Sequence, residues 1–229
     1  ICLAMMGFSV TALEPGGIGF EDYVGTSSAF AQMCEVEIEH LESGAETACF
    51  IDKPLFDIII SNNVLEHVHE IERAISNLTT ALKRSGIMVH SCPNYSFPYD
   101  PHFGLPLVPF FPAVTKYFLP KRIGKSNLWN SLNFITARRV KKMFRNHGLY
   151  VYFRKGTMTA GISRVRNEQI FAARHQTLHK FFSNDVVYGI TRQIMRVPVL
   201  AATPMEIIVC YPEHQNNLNI HHWLLAQDK

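Results

Sequence analysis

The sequence predicts an α/β fold: a doubly wound sheet, mostly parallel with an antiparallel edge strand. Three observations lead there. Residues 56–61 form a short β-branched apolar run, the pattern of a parallel strand covered on both faces. Ile71, Ile75, Leu78 and Leu82 then recur at helical spacing, Gly86 stands as a helix stop, and residues 87–91 begin another strand, giving a β-α-β unit. Finally, apolar runs at 149–153 and 205–211 flank about fifty residues with helical stretches, as an antiparallel edge pair with an insertion would.

The elements follow in order. The chain opens on an apolar stretch read as the end of a helix, stopped at Gly7, and continues into a strand at 8–13. A helical region at 18–33 and a weak strand at 36–41 lead to the β-α-β unit. Residues 95–135 carry Pro98, Pro101, Pro106, Pro109, Pro112 and Pro120 among aromatics, which forbids long helices and predicts a cap over the strand ends. Thr136 is placed to cap a helix at 137–146, with Val140, Met143 and Phe144 inward. Residues 1–155 with 205–211 thus form the core, 95–135 its cap, 156–204 a mainly helical insertion and 212–229 a polar tail. A doubly wound domain normally begins with a strand and a glycine-rich turn; both are lacking, so the chain is read as truncated at its N-terminus.

Five scattered cysteines without a CxxC pair argue for reduced thiols and a cytoplasmic setting. No apolar run is long enough to span a bilayer as a helix. The net charge of +3 conceals an asymmetry: residues 1–100 hold four Lys/Arg against fourteen Asp/Glu, whereas 101–167 hold thirteen Lys/Arg and no acid. Such a block favours an anionic partner, or is a solvated face balancing the acidic half.

Polar groups cluster where the strands stop, which is where open α/β sheets bind ligands. Glu14 ends the strand in VTALEP, where a carboxylate offers two acceptor oxygens to the vicinal hydroxyls of a ribose. Ser61, Asn62 and Asn63 end the next predicted site strand. The succession VTALEP, SGAET, FDIIISNNVLEHV and LKRSGIMVHSCPN resembles the class I S-adenosylmethionine-dependent methyltransferases of the small-molecule type, whose fold is Rossmann-like. NNVLEHV is its most specific part.

The resemblance implies S-adenosylmethionine as cofactor. Glu14 would bind its ribose, Ala45 and Glu46 would lie beside the adenine, and Asn62 and Asn63 would lie against the methionine part. Val64 and Leu65 would start the helix that closes the pocket. Methyl transfer would go to an oxygen or nitrogen of a small or lipid-linked, anionic acceptor. The glycine-rich turn of that family has no counterpart here, so the fragment is expected to be inactive or weakened even if its parent is an enzyme.

Residues 93–106 follow the last parallel strand, where such enzymes bind the acceptor. Asn94, Tyr95 and Tyr99 are the substrate-lining candidates, and His102 is the first choice of base because imidazole titrates near neutrality, with His67 the second. Glu66 is read as bracing the fold. His67 with His69, and His221 with His222, lack further ligands at metal spacing and are read as non-metal. The basic block leaves peripheral membrane contact open, while the proline-aromatic cap in it reads as a packed lid and makes nucleic acid the minority reading; the oligomeric state is not legible. The rival readings are a non-catalytic binding protein that docks through the basic region 101–167, and a nicotinamide-dependent enzyme on the same sheet, against which VLEHV has no role in dinucleotide binding.

Overall fold

A computed structural model describes residues 1–15, 23–48, 50 and 56–214. After a short helix α1 (Cys2–Met5), strand β1 (Thr11–Leu13) pairs in parallel with β2 (Glu39–Leu41), and α2 (Tyr23–Met33) lies between them in sequence. The first part of the helical region expected at 18–33 lies outside the described residues, as do Cys49, His221 and His222 and most of the expected tail.

The main sheet holds β3 (Phe56–Asn62), β4 (Leu82–Cys92), β7 (Tyr150–Phe153) and β8 (Met205–Cys210), in the order β3-β4-β8-β7. β3 and β4 are parallel and joined by α3 (Ile71–Ala81), while β8 runs antiparallel to both its neighbours. The antiparallel strand therefore sits one place in from the edge, with β7 outside it. The fold is α/β and Rossmann-like, with β1 and β2 forming a separate small sheet among the described residues.

The 3.6-residue period of α3 puts Ile71, Ala74, Ile75, Leu78 and Ala81 on one buried stripe. Helix α7 (Ala137–Asn146) does the same with Ala137, Val140, Met143 and Phe144, and the Thr136 hydroxyl caps it by accepting from the Arg139 N–H at 3.3 Å. Both stripes close on the face of β4 that carries Met88 and Cys92, and on Ile207 and Val209 of β8. Each large side chain buried there contributes about 1.5–3 kcal/mol of hydrophobic stabilisation.

Two expectations need correction. Ile59 packs on this core, so Ile58 and Ile60 point to the opposite face, where they are 47% and 55% exposed; among the described residues β3 is an outer strand covered on one face rather than two. Gly86 does not stop a helix. The helix ends at Ala81 and β4 begins at Leu82, with a register slip between Phe56 and Ile58. A Cβ on Gly86 would lie 2.9 Å from the Asp57 carbonyl oxygen, so the glycine is required by close backbone approach within the irregular strand pair.

The cap is built from a small hairpin, β5 (Tyr99–Asp100) and β6 (Leu105–Pro106), followed by three short helices: α4 (Thr115–Phe118), α5 (Pro120–Ile123) and α6 (Asn127–Ser131). It has its own core of Tyr95, Leu105, Leu107, Ile123, Trp129 and Leu132. The insertion folds as α8 (Thr157–Asn167), α9 (Gln169–Arg174), α10 (Gln176–Phe182) and α11 (Asp185–Ile194), around Ile162, Val165 and Phe182.

Candidate functional site

The strand ends present the cofactor-binding candidates in two groups. Glu14 follows β1, and its N–H donates to the Leu41 carbonyl at 3.1 Å, so the ends of β1 and β2 lie side by side. Burial raises the pKa of the Glu14 carboxyl above its ordinary value. Ala45 and Glu46 follow β2; both of their carbonyls accept from the side-chain amide of Asn77 on α3, at 3.0 and 3.1 Å, which anchors that loop to the main core. Asn62 ends β3 and Asn63 follows it with φ of 53°, a left-handed conformation that Asn tolerates, its N–H donating to the Ser91 carbonyl at 2.7 Å. Val64 is exposed at this turn. Leu65 does not open the long helix: Leu65–His67 is a single 3₁₀ turn, and α3 starts only at Ile71.

That turn buries Glu66 completely and brings it to the cap. His102 Nε2 stands 3.6 Å and His67 Nε2 3.9 Å from Glu66 Oε1, and the two imidazoles meet edge to face with centroids 5.2 Å apart. Neither separation from Glu66 is a hydrogen bond, and both carboxylate oxygens are buried without a hydrogen-bond partner. Asp100, also fully buried, lies on the far side of His102, its Oδ2 3.5 Å from Nδ1. It accepts from the Tyr95 hydroxyl at 3.0 Å and from the Phe103 N–H at 2.8 Å. On the far side of His67, Nδ1 is 2.7 Å from the Ser131 hydroxyl, which itself donates to the Leu128 carbonyl at 2.8 Å.

The electrostatics follow from this packing. Burial would lower the pKa of His102, but the carboxylates of Asp100 and Glu66 override it and raise the value to about 9. His67 is held below its ordinary value by burial, with Glu66 opposing. Burial works to raise Asp100, yet the bonds from His102, the Phe103 N–H and Tyr95 outweigh it and its pKa is lowered. Burial and then Asp100 push the Tyr95 hydroxyl up; burial and then Glu66 do so for the Cys92 thiol.

The substrate candidates separate. Asn94, 1% exposed, is an internal bracket: its amide donates to the Leu200 and Ala202 carbonyls at 3.0 and 2.8 Å, and its oxygen accepts from the Ser96 and Ala137 N–H groups at 3.1 and 3.0 Å. With its hydrogen bonds spent inside the frame, Asn94 cannot line a pocket. Tyr95 is buried in the cap core with its hydroxyl on Asp100, a supporting position rather than a lining one. Tyr99 reaches the insertion, its hydroxyl 3.3 Å from His175 Nδ1. Beside that contact opens a cleft of about 310 Å³ between the hairpin and the helices α9 and α10, bordered by His102, Phe103, His175, Gln176 and Leu178. His102 therefore belongs to both the polar cluster and the cleft.

Sequence reasoning passed over Ser131 and Asn133 as site residues; it noted Asp100 only within the polar run 94–102 and read Glu66 as a brace rather than a member of the site. Asn133 donates its side-chain amide to the Leu65 and Val68 carbonyls at 2.7 and 2.8 Å and its N–H to the Glu66 carbonyl at 2.8 Å, so it sets the turn that carries Glu66 and His67. No local pattern marks it, because its partners lie far back in the chain. For Glu66 and Asp100 a signal existed: an acid beside each of two histidines in segments that both end at the same sheet edge.

Comparison with known proteins bears on this arrangement. An uncharacterized protein of Mycobacterium tuberculosis is 30% identical over 180 residues, which are 75% of this chain and 60% of that protein. The chain thus spans about 60% of the length of that relative. A ubiquinone biosynthesis O-methyltransferase of Rickettsia canadensis is 33% identical over 92 residues, 40% of this chain and 36% of the enzyme. Among solved structures, an O-methyltransferase from a polyketide synthase multienzyme of Brevibacillus brevis, in complex with S-adenosyl-L-homocysteine, matches with a TM-score of 0.49 and 10% identity, covering 90% of this chain and 60% of that one. A family model described as a methyltransferase domain matches residues 5–152, which take in β1 to β7 with Glu14, the Glu66 turn and the cap. The chain belongs to the methyltransferase domain family.

Proposed function

We propose that the protein is an S-adenosylmethionine-dependent methyltransferase acting on an oxygen or nitrogen of a small or lipid-linked anionic acceptor. The observation that carries the reading is the family match across 5–152, which spans every strand end where the cofactor candidates stand. The residues present suit such a cofactor. The Glu14 carboxylate ends β1 as a two-oxygen acceptor for a ribose diol, and Asn62 and Asn63 expose amide and backbone groups at the end of β3. The Glu46 side chain stands on a loop that Asn77 holds in place. When bound, the cofactor supplies an electrophilic methyl group on a sulfonium whose leaving group is already good.

The chain's own residues would then orient the acceptor. The cap and α9–α10 flank the cleft at His102, so an acceptor held there would be aligned, and alignment can supply most of the acceleration. His102 carries a proton at neutral pH while both carboxylates face it, which suits binding an anionic acceptor better than removing a proton.

A lipid-linked acceptor is supported by the outer face of the cap. Phe110, Phe111, Val114, Tyr117 and Phe118 are each exposed, Phe110 at 95%, in a stretch that also carries exposed Lys121 and Lys125 and no acid. Exposed large apolar side chains and lysines in one segment suit an anionic bilayer surface, the first entering the headgroup boundary and the second meeting the phosphates. An oxygen acceptor is supported by the Rickettsia relative, named an O-methyltransferase.

Calorimetric titration of S-adenosylhomocysteine into the purified protein tests the cofactor. Saturable binding that Glu14→Ala weakens by about 1–3 kcal/mol is expected, the scale for losing hydrogen bonds to a charged group. No binding by the folded protein would overturn the enzyme reading in favour of a docking protein on this fold.

A further inference from the structure

We propose that Glu66, His67 and His102 form a binding site for a divalent transition-metal ion, of the zinc class, at the junction of the 3₁₀ turn and the cap. One ligand atom from each of the three lies within 4.8 Å of the others. Zinc bonds of about 2.0–2.2 Å in tetrahedral geometry separate neighbouring ligand atoms by about 3.3 Å. The observed 3.6 and 3.9 Å from Glu66 Oε1 to the two imidazole nitrogens would close by about 0.3 and 0.6 Å, and the two nitrogens, which lie within 4.8 Å of each other, by up to about 1.5 Å.

The hydrogen bonds around the cluster point the same way. The Ser131 hydroxyl stands 2.7 Å from His67 Nδ1 and 2.8 Å from the Leu128 carbonyl; when it donates to that carbonyl it accepts from Nδ1–H, the tautomer that leaves the Nε2 lone pair on the Glu66 side for a metal. Asp100 takes the corresponding position behind Nδ1 of His102, the carboxylate–histidine pairing that commonly orients a metal-bound imidazole. Glu66 completes the case: a carboxylate with no exposed surface, neither of whose oxygens has a hydrogen-bond donor, faces two imidazole nitrogens at 3.6 and 3.9 Å. A buried anion so placed needs a counter-charge; the His102 proton supplies it in the metal-free protein, and a metal ion held by all three groups would take its place. Two imidazole nitrogens and one carboxylate oxygen are the donor set of zinc and neighbouring transition ions rather than of magnesium or calcium.

The third ligand explains why sequence spacing conceals the site: His102 arrives on the hairpin after β4, brought over the turn by the Asp100 bonds. Because His102 also borders the cleft, an acceptor held there would lie next to the ion and could take its fourth coordination position. A hydroxyl bound there would release its proton to water more readily, a role that rests on the methyl-transfer reading, whereas the metal site does not.

The test uses the metal alone. Equilibrium dialysis of the purified protein against zinc, and titration with cobalt(II) read by visible absorption, should give one ion per chain and the intense bands of a tetrahedral cobalt site. Glu66→Gln and His102→Asn should each weaken binding by more than ~10-fold, and Asp100→Asn by about 10–100-fold. His69→Ala, an exposed histidine outside the cluster, should bind as wild type. Circular dichroism identifies any variant that has lost its fold. Absence of stoichiometric binding by the folded wild type would overturn the site and leave the His102 proton as the counter-charge of Glu66. Unchanged binding in folded Glu66→Gln and His102→Asn would overturn it equally. Either result is independent of S-adenosylhomocysteine binding.

Discussion

The Asn133 N–H donates to the Glu66 carbonyl at 2.8 Å, and the same residue's amide grips the carbonyls on either side of that turn. The buried carboxylate is thus positioned by a residue of the cap, which ties the site's geometry to the cap's folding. Asn133→Ala should lower stability by about 2–4 kcal/mol, since two buried carbonyls and the Ile135 N–H lose their partner. Urea denaturation measures it, and a loss below ~1 kcal/mol would show that the turn holds itself.

Asn94 joins four separate backbone groups and should behave as a structural residue. Asn94→Asp keeps the acceptor that serves Ser96 and Ala137 but sets an anion against the carbonyls of Leu200 and Ala202. We expect a destabilisation of about 3 kcal/mol or more, by the logic of an uncompensated buried charge. A stable Asp variant with weakened acceptor binding would restore Asn94 to the pocket.

His90 gives the fold a pH dependence. It is buried on β4, stacked on Phe144 and bonded through Nδ1 to the Ser61 hydroxyl at 2.7 Å; burial lowers its pKa from 6.5 to about 4. The unfolded chain therefore binds its proton more tightly than the native one. Its stabilising contribution is complete above pH 6.5 and is lost progressively as pH falls towards 4, by about 3 kcal/mol. In His90→Gln that share of the decline should vanish from denaturation curves at pH 7, 5.5 and 4.5; a decline identical to wild type would assign it to the carboxylates.

Gly86→Ala should destabilise by about 1–3 kcal/mol, because the new methyl would stand 2.8 Å from Leu82 Cδ1 and 2.9 Å from the Asp57 carbonyl oxygen. A neutral outcome in thermal unfolding would mean that the β3–β4 irregularity relaxes freely.

Phe110→Ser combined with Phe111→Ser should leave stability near wild type, as both side chains are exposed, while reducing sedimentation with phosphatidylglycerol-containing vesicles several-fold. Salt should weaken the wild-type interaction. Equal sedimentation of wild type and variant would remove the cap face from any membrane contact.

Much of this was legible in the sequence because it depends on short-range periodicity. The stripe of α3, the Thr136 cap and inward face of α7, and the strands at 150–153 and 205–210 follow from spacing that any helix or strand imposes on neighbouring residues. Strand ends then fixed where Glu14, Asn62 and Asn63 would stand. Coverage was not legible: an apolar run reads alike whether one face or two are buried, and only the strand order revealed that Ile58 and Ile60 are open. Nor could a list of polar residues in 93–106 distinguish Asn94, consumed by backbone groups over a hundred residues away, from His102, which meets Glu66. Sequence determined the local elements because their energetics are local; tertiary structure decided the site because burial and charge pairing depend on which distant segments share the same space.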